Sequence, residues 1–223
     1  MIFHRRNPSG SFEEQRRDMV ELQLRRGGIR DARVLAAMGT VPREVFVPEH
    51  EQSNAYADGA LPIEHGQSIS QPYMVALMTE ALELEGPERV LEIGTGTGYQ
   101  AVVLAVLCAQ VWSIERIAEL ADDARQRLAD FGVENVEIAV GDGTLGWPEH
   151  APYDAIIVTA GAPRPPAPLL EQLADGGRLV IPVGDRHTQM LEVHTRQGES
   201  HRTRNVCACK FVPLVGAHGW AER

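Results

Sequence analysis

The stretch from Val90 to Gln100, VLEIGTGTGYQ, puts three glycines at alternate positions directly after a short apolar run. Val90, Leu91 and Ile93 have the composition of a buried parallel strand, and Gly94, Thr95, Gly96 and Gly98 form the turn that leaves it. Glycine tolerates positive φ there and lets a ligand approach backbone that a Cβ would shield. The helix that begins next aims its unpaired amide donors over the loop. Two features turn this loop away from a nicotinamide dinucleotide. Its spacing is G-x-G-x-G, with Tyr99 where the dinucleotide fingerprint has its third glycine, and Glu92 is expected to bring a carboxylate beside the loop, where a pyrophosphate is repelled. That charge suits a cation, such as the sulfonium and ammonium of S-adenosylmethionine.

A glycine loop also fits a tight turn in any α/β protein, so the neighbouring segments matter. VWSIE, residues 111–115, reads as a second strand ending in Glu115, seventeen residues beyond Gly98. That is about the offset at which an acidic side chain reaches a ribose diol. ENVEIAVGDG, residues 134–143, reads as a third strand entering a loop with Asp142 and Gly143, where Asp142 either accepts from an adenine amino group or serves as an Asx-turn residue.

Positioning these loops takes an alternation of strands and helices. Strands are expected near 89–93, 111–115, 135–139, 154–159 and 178–182, with helices near 98–107, 117–131 and 166–174. This predicts an α/β fold, a doubly wound and mostly parallel sheet with right-handed crossovers. QMLEVHTR and RNVCACKFVPLV then add antiparallel strands joined by a turn around Gln197 to Ser200. Ahead of the sheet, residues 1–10 read as disordered. Helical spacing follows in Met19, Leu22 and Leu24, then in DARVLAAMGTV with Asp31 as its cap, and VPREVFVPEH reads as partly extended. Residues 49–70 read mostly as loop, and a new helix starts near Pro72. The expectation is one domain over 1–223, with 11–88 as a helical and substrate-loop region and 89–223 as the cofactor-binding sheet.

The chain has 223 residues, with 21 basic against 31 acidic residues and a net charge of −10, which disfavours a nonspecific binder of nucleic acid. No apolar run approaches the roughly 20 residues of a membrane span, and the N-terminal MIFHRRNPSG has no apolar core behind its arginines. A cytoplasmic protein is expected, without a membrane partner and monomeric. Cys207 and Cys209 alternate along one strand with no clustered His or Cys to complete a metal site, so no metal is expected.

Four segments, GQSISQPYMVALM at 66–78, VLEIGTGTGYQAVVLA at 90–105, GDGTLGWPEHAPYDAIIVTAGAP at 141–163 and FVPLVG at 211–216, together resemble the protein-L-isoaspartate O-methyltransferases. The resemblance runs from about Arg30 onward. It implies a class I, Rossmann-like methyltransferase that uses S-adenosylmethionine, releases S-adenosylhomocysteine, and methylates the free α-carboxylate of isoaspartyl residues in damaged proteins and peptides. The ester then collapses to a succinimide. By resemblance the functional serine is Ser70, the cofactor positions are Glu92, Gly94, Gly96, Glu115 and the Asp142 loop, and Thr159 and Ala160 flank the same cleft. Departures are Gly161, where alanine is usual, and Thr97, where serine is common.

The acceptor in such a reaction is a carboxylate, ionised at neutral pH and nucleophilic without a general base. Alignment and a dry pocket are what it requires. Ser70 is placed to hydrogen-bond one carboxylate oxygen, although Ser before Pro72 and an apolar helix is also a capping pattern. Gln71 is a further ligand candidate, and Ile69 with Val212 to Val215 are candidates for an extended peptide-docking surface. His65 near this loop reads as a solvated histidine. An amino-methylating nucleic-acid enzyme calls for N/D-P-P-Y/F where this chain has VTAGAP. A noncatalytic isoaspartyl reader and another small-carboxylate O-methyltransferase are the alternatives.

Overall fold

Ser11 starts the first helix of the computed structural model, which describes residues 10–222: its side chain accepts from the Glu14 amide while Glu14 reaches back to the Ser11 amide. The expected disorder of the first ten residues falls, apart from Gly10, outside the described residues. Helix α1 (Phe12–Asp18) widens into a π-helical segment, Met19–Arg25. There Met19, Val20 and Leu24 are buried but Leu22 is exposed. The expected Met19, Leu22 and Leu24 stripe fails at Leu22 because a π turn shifts the phase of the helix face. Helix α2 (Ala32–Thr40) begins as expected at Asp31, whose carboxylate accepts from the amides of Arg33 at 2.7 Å and Val34 at 3.3 Å.

From Val41 to Ser70 the chain is more ordered than its sequence suggests. Short 3-10 turns form at Arg43–Phe46 and Glu49–Asn54, and β1 (Leu61–Pro62) pairs antiparallel with β2 (Ser68–Ile69). His65 at φ 57° and Gly66 at φ 67° reverse the chain between those two strands. Helix α3 (Pro72–Ala81) follows at once, with Pro72 where a missing amide costs nothing.

The regular alternation then unfolds as β3 (Arg89–Ile93), α4 (Tyr99–Ala105), β4 (Gln110–Glu115), α5 (Ala118–Asp130), β5 (Val136–Val140), β6 (Tyr153–Val158), α6 (Ala167–Glu171), β7 (Leu173–Gly184), β8 (Gln189–Gln197) and β9 (Ser200–Cys209). One seven-stranded sheet results, in the order β5-β4-β3-β6-β7-β8-β9. The pairs from β5 across to β7 are parallel, and β7-β8 and β8-β9 are antiparallel. β9 ends at Cys209, short of the run expected to reach Val215. The next residues leave the sheet edge and dock beside the loop after β6, where Gly161 donates to Val212 O and Leu214 donates to Gly161 O, both at 2.8 Å.

Strand order reverses at β3, because β4 lies on one side of it and β6 on the other. A crevice forms there at the carboxyl ends of the strands, where open α/β sheets bind ligands. The central strands are buried on both faces: Val90 belongs to the layer beneath α2, α3 and α4, and Leu91 and Ile93 to the opposite layer with Ile156, Val158 and Leu179. The α2 cap is expected to matter to this framework, since α2 packs on α3. Asp31→Ala should cost about 0.5–2 kcal/mol in urea denaturation, and an unchanged midpoint would show the cap to be idle.

Candidate active site

Six segments meet at that crevice in two connected lobes. The larger is lined by Gly94, Gly96, Glu115, Ile117, Gly143, Thr159, Ala160 and the segment 212–215. The smaller is lined by Ile69, Ser70, Val75, Thr95, Tyr99 and Gln100 among others, and Ser68, Gly94, Gly96 and Thr159 belong to both. The parallel sheet therefore delivers the ends of β3, β4, β5 and β6 to one wall, and the turn between β2 and α3 supplies the other.

The glycine loop behaves as its sequence indicates. Gly94, Gly96 and Gly98 have φ of 97°, 53° and 88°. A Cβ at Gly94 would lie 2.4 Å from Thr159 Oγ1, whereas one at Gly96 would meet no atom within 4 Å and would project into the space above the loop. Glu115 is buried and braces this turn: its carboxylate accepts from the Gly96 amide at 2.9 Å and the Ile117 amide at 3.0 Å. Its remaining lone pairs border the larger lobe, as a ribose ligand requires.

Glu92 departs from the expectation that it sets the charge beside the loop. It is fully buried, borders neither lobe, and accepts from the Ser113 hydroxyl, which shares a 2.6 Å hydrogen bond with Thr95 Oγ1. Its other oxygen has no partner. Burial pushes its pKa up to about 8 against the opposing Ser113 bond, with Glu115 adding to the rise, so the group is mostly protonated at neutral pH. The cause is strand alternation, which turns Glu92 beneath the sheet beside Ser113 of β4. The carboxylate that faces the ligand space is Glu115.

Asp142 also sits differently from an adenine ligand. It is the N-cap of the turn Gly143–Leu145, accepting from the Thr144 amide and hydroxyl at 2.9 and 2.7 Å, and it anchors the C-terminal tail through the Ala217 amide at 2.7 Å. Against a desolvation that works upward, these donors hold its pKa below the ordinary carboxylate value. Asp142 does not line the cleft, but Gly143 does. Gln71 spends its amide on Asp58 at 2.6 Å, and His65 is exposed and borders neither lobe.

Ser70 resolves more sharply. The N-cap of α3 is Gln71, not Ser70, and no side chain caps the helix. Ser70 lines the smaller lobe together with Ile69 and Thr159. Val212 and Val215 line the larger lobe with Pro213 and Leu214 between them. Several contributors had no sequence signal: Ser68, Ile117 and Gln100 reach the cleft only through the fold, and Trp220 locks the tail by donating to Gly161 O at 3.0 Å. Among the described residues, no three His, Cys, Asp or Glu side chains gather as a metal would require.

Residues 14–219 match the family described as Protein-L-isoaspartate(D-aspartate) O-methyltransferase (PCMT). The chain belongs to this family. It is 59% identical over 216 residues to Protein-L-isoaspartate O-methyltransferase 2 of Pelobacter propionicus, covering 96% of each chain. It is 54% identical to the Protein-L-isoaspartate O-methyltransferase of Syntrophus aciditrophicus, over 94% of this chain and 98% of that relative. A Plasmodium falciparum beta-aspartate methyltransferase (PCMT) crystallised with S-adenosyl-L-homocysteine superposes with a TM-score of 0.79 at 26% identity, covering 93% of this chain and 99% of that one. The mostly parallel sheet with its antiparallel edge is thus the class I methyltransferase fold of these isoaspartate methyltransferases.

The buried Glu92 gives this family member a testable pH dependence. Between the ordinary carboxylate range and about 8, the unfolded chain releases a proton that the folded chain keeps, so folding stability falls as pH rises through that window. The slope contributed is at most about 1.4 kcal/mol per pH unit. Glu92→Gln should therefore gain stability over the parent between pH 5 and pH 8, measured by urea denaturation. Parallel stability profiles for the two proteins would contradict a buried, protonated Glu92.

Proposed function

We propose that this chain transfers the methyl group of S-adenosylmethionine to the free α-carboxylate of L-isoaspartyl residues in damaged proteins and peptides, starting their repair through a succinimide. The observation that carries the reading is that Ser70, with its hydroxyl free of the helix cap, lines one cleft with the Gly94–Gly98 turn that Glu115 braces. Family membership across 14–219 supports the same substrate class. The whole chain is read as one methyltransferase domain, acting as a cytoplasmic monomer without nucleic-acid or membrane partners; no described helix is long and apolar enough to cross a membrane.

The residues present fit the cofactor. The open space over Gly96 admits close approach, Glu115 offers lone pairs for a ribose diol, and Gly143 with Ile93, Ile114 and Ile117 supplies an apolar wall for a base. When bound, the cofactor supplies an electrophilic methyl on a positively charged sulfur. Thr95 and Glu92 act from below, through Ser113, by fixing the floor of the turn.

An acceptor carboxylate is ionised near neutral pH, so no residue has to remove a proton. Ser70 Oγ donates to one carboxylate oxygen and leaves the other free to attack. Thr159 cannot share this task readily, because its hydroxyl already donates to Ile93 O and Gly94 O at 3.0 and 2.8 Å. Its methyl instead helps wall the acceptor from water. Ile69, Val212 and Val215 supply apolar surface for an extended peptide. Val212 O and the Leu214 amide are committed to Gly161, while the Pro213 carbonyl and the Val215 amide take no part in those bonds. A peptide main chain has these groups to read, which suits a substrate defined by its backbone defect.

Methyl-labelled S-adenosylmethionine offered with matched peptides should label the isoaspartyl form as a base-labile ester, and equal labelling of the aspartyl form would reject the specificity. Ser70→Ala should lower turnover on the order of 10²-fold while leaving S-adenosylhomocysteine affinity intact. Because no cap bond is lost, its stability should stay within about 0.5 kcal/mol of the parent, and a large loss in denaturation would return Ser70 to a structural role. Glu115→Ala should weaken S-adenosylhomocysteine binding by about tenfold or more in calorimetry, and unchanged affinity would remove Glu115 from the cofactor site.

A further inference from the structure

Arg43 is a fully buried cation with no carboxylate among its contacts in the described residues. Its Nε donates to Ala55 O at 2.7 Å and its Nη2 to Ser70 O at 2.8 Å, while its Nη1 is buried without a partner. The guanidinium carbon lies 5.0 Å from the centre of the Tyr99 ring. Burying an unneutralised charge is costly, and two carbonyls can be satisfied by neutral donors at less expense. The arrangement therefore calls for a use of the rigid fork, the charge, or both.

The geometry supplies that use. Ser70 lies between the last paired residue of β2, Ile69, and the α3 N-cap, Gln71, and no backbone amide among the described residues donates to its carbonyl. Arg43 holds that peptide plane and with it the direction of the Ser70 side chain. On its other side Arg43 rests on Tyr99, the first residue of the helix that leaves the glycine turn. One guanidinium thus bridges the segment that carries Ser70 and the helix that leaves the glycine turn, two elements that line the same lobe. Resting on the reading of Ser70 above, we propose that Arg43 is a positioning residue for methyl transfer: it fixes the Ser70 hydroxyl relative to the cofactor turn and places an uncompensated positive charge behind the site of the acceptor carboxylate.

The test is a double-mutant cycle read in kcat with isoaspartyl peptide. Arg43→Lys keeps the charge but loses the fork, and should lower kcat by about tenfold or more with S-adenosylhomocysteine affinity unchanged. In a Ser70→Ala background the same change should lower kcat by less than about twofold, because the hydroxyl it aligns is gone. Multiplying effects in the double variant, or normal kcat in folded Arg43→Lys, would overturn the proposal. Normal turnover by Ser70→Ala alone would instead refute the role of Ser70 and is read separately. If Arg43→Lys does not fold, Arg43→Ala assayed with millimolar guanidinium keeps the test open: turnover restored with Ser70 present, but not with Ser70→Ala, supports alignment. Failure to restore turnover in folded Arg43→Ala overturns it.

Discussion

The cleft depends on how closely the turn after β3 approaches the end of β6. Thr159 donates its hydroxyl to Ile93 O and Gly94 O, and a Cβ on Gly94 would fall 2.4 Å from that oxygen. Only glycine allows the two loops to be joined in this way, at a φ of 97° that other residues rarely adopt. Once they are joined, Gly96 is presented upward and open, Glu115 reaches its amide from the next strand, and Thr159 lines both lobes. The C-terminal segment closes the wall through its bonds to Gly161, immediately beyond. A shift at Gly94 would therefore displace groups that bear on both ligands.

Electrostatics in the site follows from which carboxylates the sheet buries and which it presents. Glu92, next to last in β3, is turned into the protein, where burial raises its pKa to about 8, while Glu115 at the end of the neighbouring β4 faces the cleft with two backbone donors on it. In the proposed reaction a cationic cofactor and an anionic acceptor approach one another in a cleft lined by Glu115 and by Ser70, whose carbonyl accepts from the buried Arg43. Attraction between the reactants is not screened away as it is in water, and the reaction proceeds toward cancellation of charge. Such chemistry needs alignment of the two reactants more than proton removal.

Much of the framework was legible in the sequence because periodicity and turn chemistry are local. The central strands, the glycine turn, the end of β4 at Glu115, the Asp31 cap and the antiparallel pair after β7 all announce themselves within short windows. What escaped was set by distance or by facing. Glu92 was misjudged because one residue along a strand reverses the face, and Leu22 because a π turn shifts the helical stripe. Asp142 carried an ambiguous signal, and the tail that pins it lies far along the chain at Ala217. Arg43 had no motif at all: its partners, Ala55, Ser70 and Tyr99, come together only after the 3-10 turns and the β1-β2 ribbon have formed.

The proposed reaction requires Ser70 and Glu115 to hold the two reactants in one cleft. A crystal structure of the protein with S-adenosylhomocysteine and an isoaspartyl peptide measures this directly. The expected complex has the ribose hydroxyls on Glu115 and one oxygen of the α-carboxylate within hydrogen-bond distance of Ser70 Oγ, with the peptide main chain along residues 212–215. A carboxylate bound away from Ser70, or a ribose held elsewhere than at Glu115, would contradict it.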